Sequence, residues 1–271
     1  GNLFLRTRDY FDYVVQEQGG TLTLSRRFGE FWRLVFTLAA SEVEVSSVAL
    51  DAPQIIRDSE GVTAVYSIAP FLVWDTRDDP FSPSTGQLNQ VTYQYGGNPI
   101  FPGVDFWRLS EDYQRFWTLK QNEDEERKHI VSFGATAGMI ESHSQTGEVP
   151  IFLKYFAGGA SSIRGFDFNA VGPKQNGTVI GGNFLFLTNL EYTCPLYEEI
   201  LRGAVFIDRG TVESSIRDSD LTDAFRSSYG FGLRIRLPIA PTPVSLDVAF
   251  PLESEDDDDL RVFTLNFGGV F

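Results

Sequence analysis

The chain has little of what enzyme sites are built from. Among 271 residues there is one cysteine, Cys194, and there are two histidines, His129 and His143. A lone thiol excludes an internal disulfide framework, and one Cys with two His is a poor ligand set for zinc. Nucleophilic hydrolysis needs a nucleophile, a histidine and an orienting group held together. Ser142 and Ser144 flank His143, but neighbours on an extended chain point to opposite faces. We therefore expect no catalysis, no cofactor and no metal. Basic charge is scarce too: 22 Lys and Arg face 37 Asp and Glu, a net charge of −15. Nucleic-acid binding needs a basic stripe, so that partner class is excluded. No charged-then-apolar leader follows Gly1, which reads as a mature chain or an excised piece. Nor does any apolar run approach the roughly 18 residues of a membrane helix. Transmembrane strands need only about 9–11 residues and hide their hydrophobicity in alternation.

Alternation is what the chain does have. The 24 Phe, 10 Tyr, 25 Gly and 13 Pro suggest many short strands joined by turns. Val131, Phe133, Ala135, Ala137 and Met139 interleave with small or polar residues, as do Tyr229, Phe231, Leu233, Ile235 and Leu237. Such period-two segments are strands with one apolar and one polar face. The spacing predicts about twelve: roughly 3–13, 20–28, 31–44, 62–75, 87–96, 105–120, 128–140, 182–193, 202–209, 229–237, 244–250 and 262–271. Connectors at Gly29-Glu30, Pro195 to Glu199 and Pro238 to Pro243 are short, whereas 45–61, 141–181, 210–228 and 251–261 are long and polar. Short turns on one side and long loops on the other is the asymmetry of an outer-membrane barrel. An even strand count puts both termini on the short-turn side.

The second face carries Glu191, Asp208, Arg234, Arg236, Asp247 and Asn266, suited to a hydrated lumen, while the Phe/Leu/Val face would meet lipid. Trp32, Trp74 and Trp117 fall at short-turn strand ends, where an aromatic girdle belongs. Arg209 has outward parity near the long-loop end, where snorkelling to headgroups makes it tolerable. The alternative is a soluble β-sandwich with one wet face. We read the acidic run Glu253 to Asp259 as a solvated loop, with calcium binding a minor alternative.

One long connector is unlike the rest. It contains Phe156-Ala-Gly-Gly-Ala-Ser-Ser-Ile-Arg-Gly-Phe166. Gly158, Gly159 and Gly165 permit positive φ and close approach to a wall; no strand-then-helix context supports a phosphate cradle. By itself Arg164 reads first as a solvated loop residue, with a guanidinium seeking carboxylates as the alternative.

This segment resembles the Arg-Gly-Phe/Tyr motif of the BamA family of outer-membrane insertases and related transporters. The similarity extends to Ser67-Ile-Ala-Pro-Phe-Leu-Val-Trp-Asp-Thr-Arg-Asp-Asp-Pro-Phe-Ser-Pro-Ser-Thr-Gly86, Gly181-Gly-Asn183, Asn189-Leu-Glu-Tyr192, Val205-Phe-Ile-Asp-Arg-Gly210 and Phe263-Thr-Leu-Asn-Phe-Gly-Gly-Val-Phe271. The resemblance implies an all-β, antiparallel transmembrane barrel over 1–271, with the loop at about 141–181 folded from the extracellular side into the lumen. It implies that Arg164, with Gly165 and Phe166, anchors the loop there against Glu191, Phe206 and Asp208. Strand parity agrees, placing Glu191, Phe206 and Asp208 on the polar face. Phe263, Leu265, Phe267 and Phe271 would form a terminal β-signal at a seam with residues near 3–13.

The motifs align with the last twelve strands of a sixteen-strand family pattern, and we expect no POTRA domain in the chain. Implied partners are the lipid bilayer and lipopolysaccharide, unfolded outer-membrane proteins, and periplasmic assembly lipoproteins acting through POTRA domains. The implied place is the Gram-negative outer membrane with both termini periplasmic. Insertion of barrel proteins by strand templating at the seam is the leading expectation. A polypeptide-secretion transporter and a simple porin or structural barrel are the alternatives.

Overall fold

Alternating apolar and polar residues, punctuated by turns, build one antiparallel sheet in the computed structural model. The structure describes all residues except 11, 98–102, 123–126, 144–146, 199, 216–223, 237–242 and 268–271. Its wall strands are β1 (Asn2–Asp9), β2 (Val14–Phe28), β3 (Trp32–Ser46), β4 (Gly61–Asp75), β5 (Gly86–Gly96) and β6 (Phe106–Gln121). They continue as β7 (Lys128–Ser142), β8 (Phe184–Tyr197), β9 (Leu201–Glu213), β10 (Arg226–Ile235), β11 (Val244–Glu253) and β12 (Phe263–Phe267). Each pairs with its neighbours in sequence, giving a twelve-stranded meander from β1 to β12. The loop between β7 and β8 touches β2, β3, β4, β6 and β7 on one side and β8 to β11 on the other. A sheet that meets one loop from both of its halves is curled around it.

Boundaries differ from expectation where glycine and proline mislead. β1 ends at Asp9 rather than near 13 and β2 begins at Val14 rather than near 20, so Gly19 lies inside β2, and the Tyr10 N–H donates to the Tyr13 carbonyl at 2.9 Å between the two strands. A Cβ on Gly19 would stand 2.4 Å from the Ala40 carbonyl oxygen, so this glycine serves close strand approach. Pro195, expected in a connector, sits in β8 next to a register shift before Tyr197, where a missing N–H is tolerated. β9 runs on to Glu213, and β10 begins at Arg226 rather than near 229. Of the connector Pro238 to Pro243, only Pro243 is among the described residues.

The outward face is the expected apolar one. Leu22, Leu24, Leu38, Leu190, Val205, Phe231 and Leu265 are all exposed. Trp32 and Trp74 pair across β3 and β4 with rings stacked at 5.5 Å, and both lie at the short-turn end.

The lumen is not uniformly polar, which corrects the hydrated reading. Toward the long-loop end Val15, Val43, Val45, Val65, Phe106 and Ile140 point inward and pack against Val149 and Ile151 of the β7–β8 loop. Ile56 joins them from α1 (Gln54–Asp58), a short helix in the β3–β4 connector that had read as a purely polar loop. Around Val43 and Val45 the apolar parity is the inner one, with Glu42 and Glu44 exposed, so alternation alone cannot say which face is wet.

Candidate functional site

The loop enters the curl by small backbone bridges. Tyr155 pairs with Gly182 and Ala157 with Val171, while the Gly158 N–H donates to the Ser162 hydroxyl at 2.8 Å. Gly165 adopts a φ of +95°, a conformation open to glycine and strained for other residues. This turn aims Arg164 at the wall, where the side chain is wholly buried.

Its guanidinium is fully engaged. Arg164 Nε and Nη2 donate to the two oxygens of Asp208 at 2.7 and 2.8 Å, and its backbone N–H reaches Asp208 Oδ2 at 3.1 Å. Nη1 donates to Glu191 Oε2 at 2.9 Å and stands 3.6 Å from Asp247 Oδ2. The guanidinium carbon lies 3.3 Å from the centroid of the Phe206 ring. A fork held by a bidentate carboxylate and stacked on an aromatic face is an arrangement that lysine cannot reproduce. The structure thus brings together Arg164, Glu191, Phe206 and Asp208.

Two further partners were visible only as polar-face residues. Arg234 donates to both oxygens of Glu191 at 3.1 and 2.5 Å and to Asp247 Oδ1 at 2.6 Å, tying β8, β10 and β11 into the same cluster. Asn189 donates to Asp208 Oδ1. Parity placed Arg234 and Asp247 inward, but the signal for their pairing was a glycine. A Cβ on Gly232 would lie 2.0 Å from Asp247 Oδ1, and one on Gly230 would lie 2.5 Å from the Phe206 ring. Alternate glycines on the inner face of β10 vacate the space that these side chains fill.

Gly165 and Phe166 do something else as well. They pair with Arg261 and Leu260, so the loop tip is a strand partner of the β11–β12 connector. Around it Lys174 Nζ meets Asp257 and Asp258 at 3.0 and 3.1 Å, Arg226 meets Asp258 and Glu255, and Arg261 meets Asp167 at 3.0 Å. The acidic run is therefore an ion-paired clamp rather than a solvated loop. Glu255, Asp257 and Asp258 gather their oxygens within 4.8 Å, but each already pairs with Lys174 or Arg226. Burial works against ionising Asp258, yet the Glu255 N–H, Lys174 and Arg226 outweigh it and hold the carboxyl below its usual range. The same bonds push the Lys174 ammonium up against the opposing effect of burial.

Elsewhere, Arg209 pairs with Glu253 at 3.1 Å and stacks over Phe225. The snorkelling reading gives way to an exposed ion pair. Phe263, Leu265 and Phe267 point outward from β12, whereas Phe271 lies outside the described residues. Among the described residues β12 ends the sheet at the side opposite β1.

A strand meander wrapped around an inward loop with a buried arginine has relatives. A family model for the Omp85 superfamily domain matches residues 1–271. The chain belongs to the Omp85 superfamily. It is 27% identical over 264 residues to the outer membrane protein assembly factor BamA of Nitratidesulfovibrio vulgaris, covering 96% of this chain and 32% of that protein. It is 25% identical over 227 residues to a sorting and assembly machinery component 50 homolog of Xenopus tropicalis, covering 76% of this chain and 46% of that one. The chain thus spans between a third and a half of these curated relatives. Among solved structures, BamA from Haemophilus ducreyi lacking POTRA domains 1–3 superposes with a TM-score of 0.82 at 20% identity, over 97% of this chain and 57% of that one. CdiB from Acinetobacter baumannii follows at 0.59 and 14% identity, over 93% and 42%. At these identities the structural likenesses speak for the fold.

Proposed function

We propose that this chain is the barrel of an outer-membrane assembly factor, which helps other barrel proteins fold and insert. The observation that carries the proposal is the pair of sheet ends. Among the described residues β1 and β12 each pair with one neighbour only, and the outward side chains on both are exposed, among them Leu3, Leu5, Phe263 and Phe267. A terminal strand with one free edge leaves backbone groups able to template an incoming strand. The outward apolar side chains, at alternate residues along neighbouring strands, suit lipid. The 27% identity to a protein named as an assembly factor supports the same reading.

In this mechanism no covalent bond changes. The client is an unfolded outer-membrane protein whose edge strand pairs at the seam, and the bilayer is the second partner. Arg164, with Gly165 and Phe166, anchors the inserted loop through Glu191, Phe206 and Asp208 and keeps the wall in shape while the seam works. We place the barrel in a Gram-negative outer membrane, with the short-turn ends and both termini facing the periplasm. Residues 1–271 act as one transmembrane domain.

The test is reconstitution of the intact protein into liposomes, followed by the folding rate of a second barrel protein. Acceleration is expected. A rate equal to that in empty liposomes, with the reconstituted barrel verified as folded, would overturn the proposal.

A further inference from the structure

We propose that the short-turn mouth of the barrel holds a binding site for a carboxylate bearing an apolar substituent, taken either as a small free acid or as the C-terminal end of a polypeptide. The site stands apart from the Arg164 anchor and does not rest on insertion activity.

A cavity of about 320 Å³ lies between the β4–β5 turn, residues 76–85, and the inner faces of β7 to β10. That volume is at the small end of ligand pockets and suits one compact group. Two of the cations that line it, Lys128 and Arg202, make no ion pair within 4 Å among the described residues. Lys128 Nζ donates to the Ser84 hydroxyl at 3.0 Å. Arg202 Nη2 donates to the Lys128 carbonyl at 2.7 Å and the Thr193 hydroxyl at 2.9 Å. All these acceptors are neutral oxygens.

Three carboxylates also line the cavity, beside two further cations, Arg234 and Arg236. Asp78 accepts from the Ser84 N–H, the Thr85 N–H and the Ser84 hydroxyl at 2.8, 3.0 and 2.5 Å. Asp79 accepts from the backbone of Phe81 and Ser82 at 2.7 and 2.9 Å. Glu191 is held by Arg164 and Arg234. The lining thus holds four cations, Lys128, Arg202, Arg234 and Arg236, to three carboxylates, inside a protein of net charge −15. Partly desolvated cations gain from an incoming anion, and the pairing strengthens as water leaves.

The rest of the lining selects which anion. Phe81, Pro83, Phe116 and Ile130 give the hollow an apolar wall beside Lys128 and Arg202. A free phosphate would lose hydration against that wall and gain nothing from it. A carboxylate with an aromatic or aliphatic substituent satisfies both halves, which is how C-terminal residues are recognised in general.

Calorimetric titration of the intact protein in non-ionic micelles with N-acetylphenylalanine tests the site. Binding at least tenfold tighter than acetate, inorganic phosphate or the uncharged N-acetylphenylalanine amide is expected. The double substitution Lys128→Gln, Arg202→Gln should weaken it at least tenfold while heat-modifiable migration stays intact. If that variant does not fold, the salt series on the unaltered protein decides: affinity for the acid must fall with added NaCl while that for the amide stays flat. Equal binding of acid and amide, tighter binding of phosphate, or indifference to the double substitution or to salt would each overturn the proposal. A peptide ending in phenylalanine separates the sources. Tenfold tighter binding than the small acid, lost on C-terminal amidation, assigns a polypeptide end; equal binding assigns the free acid.

Discussion

The inserted loop meets its wall through two chemistries, and they do different work. Near the long-loop end Val149 and Ile151 lie in an apolar cluster with Val43, Val45, Phe106 and Ile140. Deeper, Arg164 meets Asp208, Glu191 and Asp247. Apolar burial is non-directional and scales with area, so the first contact holds the loop inside without fixing its rotation. The second specifies geometry atom by atom, because a bidentate guanidinium tolerates little displacement. Retention and registration are thus separated along one loop, and each can be broken alone.

The largest effect is expected on the ionic side. Arg164→Ala leaves Asp208 and half of Glu191's pairing uncompensated in a dry site, at a cost of about 3–5 kcal/mol. Urea unfolding in micelles, followed by the heat-modifiable band, measures it; Arg164→Lys should recover only part. A loss under 1 kcal/mol would mean that the site is wet and the contact ornamental. On the apolar side Ile151→Ala should cost about 2–5 kcal/mol by the same assay. The two variants should differ in kind. The apolar truncation leaves the loop position intact by crosslinking at the tip, whereas the arginine truncation lets the tip wander.

Smaller is Gly230→Ala. The new methyl would stand 2.3 Å from the Val248 carbonyl oxygen and 2.5 Å from the Phe206 ring, so the ring must yield its place over Arg164. About 1–3 kcal/mol is expected, as for other overpacked positions. Because only the ionic side is touched, Gly230→Ala combined with Arg164→Ala should fall short of the summed single losses by roughly 0.5–3 kcal/mol. Combined with Ile151→Ala it should come much closer to the sum.

The ionic side was the more legible of the two in the sequence, which runs against intuition. Glu191, Phe206 and Asp208 stood on the polar parity of strong alternating strands, and the motif around Arg164 supplied the rest. The apolar side was hidden, because the apolar parity of β3 switches along the strand, from Phe36 and Leu38 facing outward to Val43 and Val45 facing inward beside exposed Glu42 and Glu44. Period two reports which residues share a face but not which face is dry. Ile56 was hidden for another reason: α1 is five residues long, too short to display a helical period. Gly19 and Pro195 misled because their usual reading as turn residues ignores close strand approach and register shifts. Arg234 and Asp247 were legible as polar-face residues, and the local signal of their pairing was Gly232, whose missing side chain leaves room for Asp247.

The outer clamp gives the finest test of the comparison, because its charges titrate near solvent while the deep anchor is dry. Lys174 and Asp258 lie 3.1 Å apart beside the loop tip. Asp258 ionises below its usual range in the folded protein, so its contribution is present above the unfolded value of about 3.9 and fades as pH falls through the lower folded value. Lys174 is shifted upward, so its contribution is full below about 10.4 and fades as pH rises through the higher folded value. Between those limits the clamp should hold constant strength, at most about 1 kcal/mol for a pair near the surface. Hydrogen exchange of the backbone amides at Asp167 and Arg261 reads it directly, after correction for intrinsic exchange rates. Protection should drop at the acidic limit in the unaltered protein, and Lys174→Ala should lower the plateau and weaken the acidic limb without moving the unfolding midpoint by more than that amount. If Lys174→Ala destabilises the barrel as much as Arg164→Ala does, clamp and anchor are one contact, and the division between retaining the loop and registering it fails.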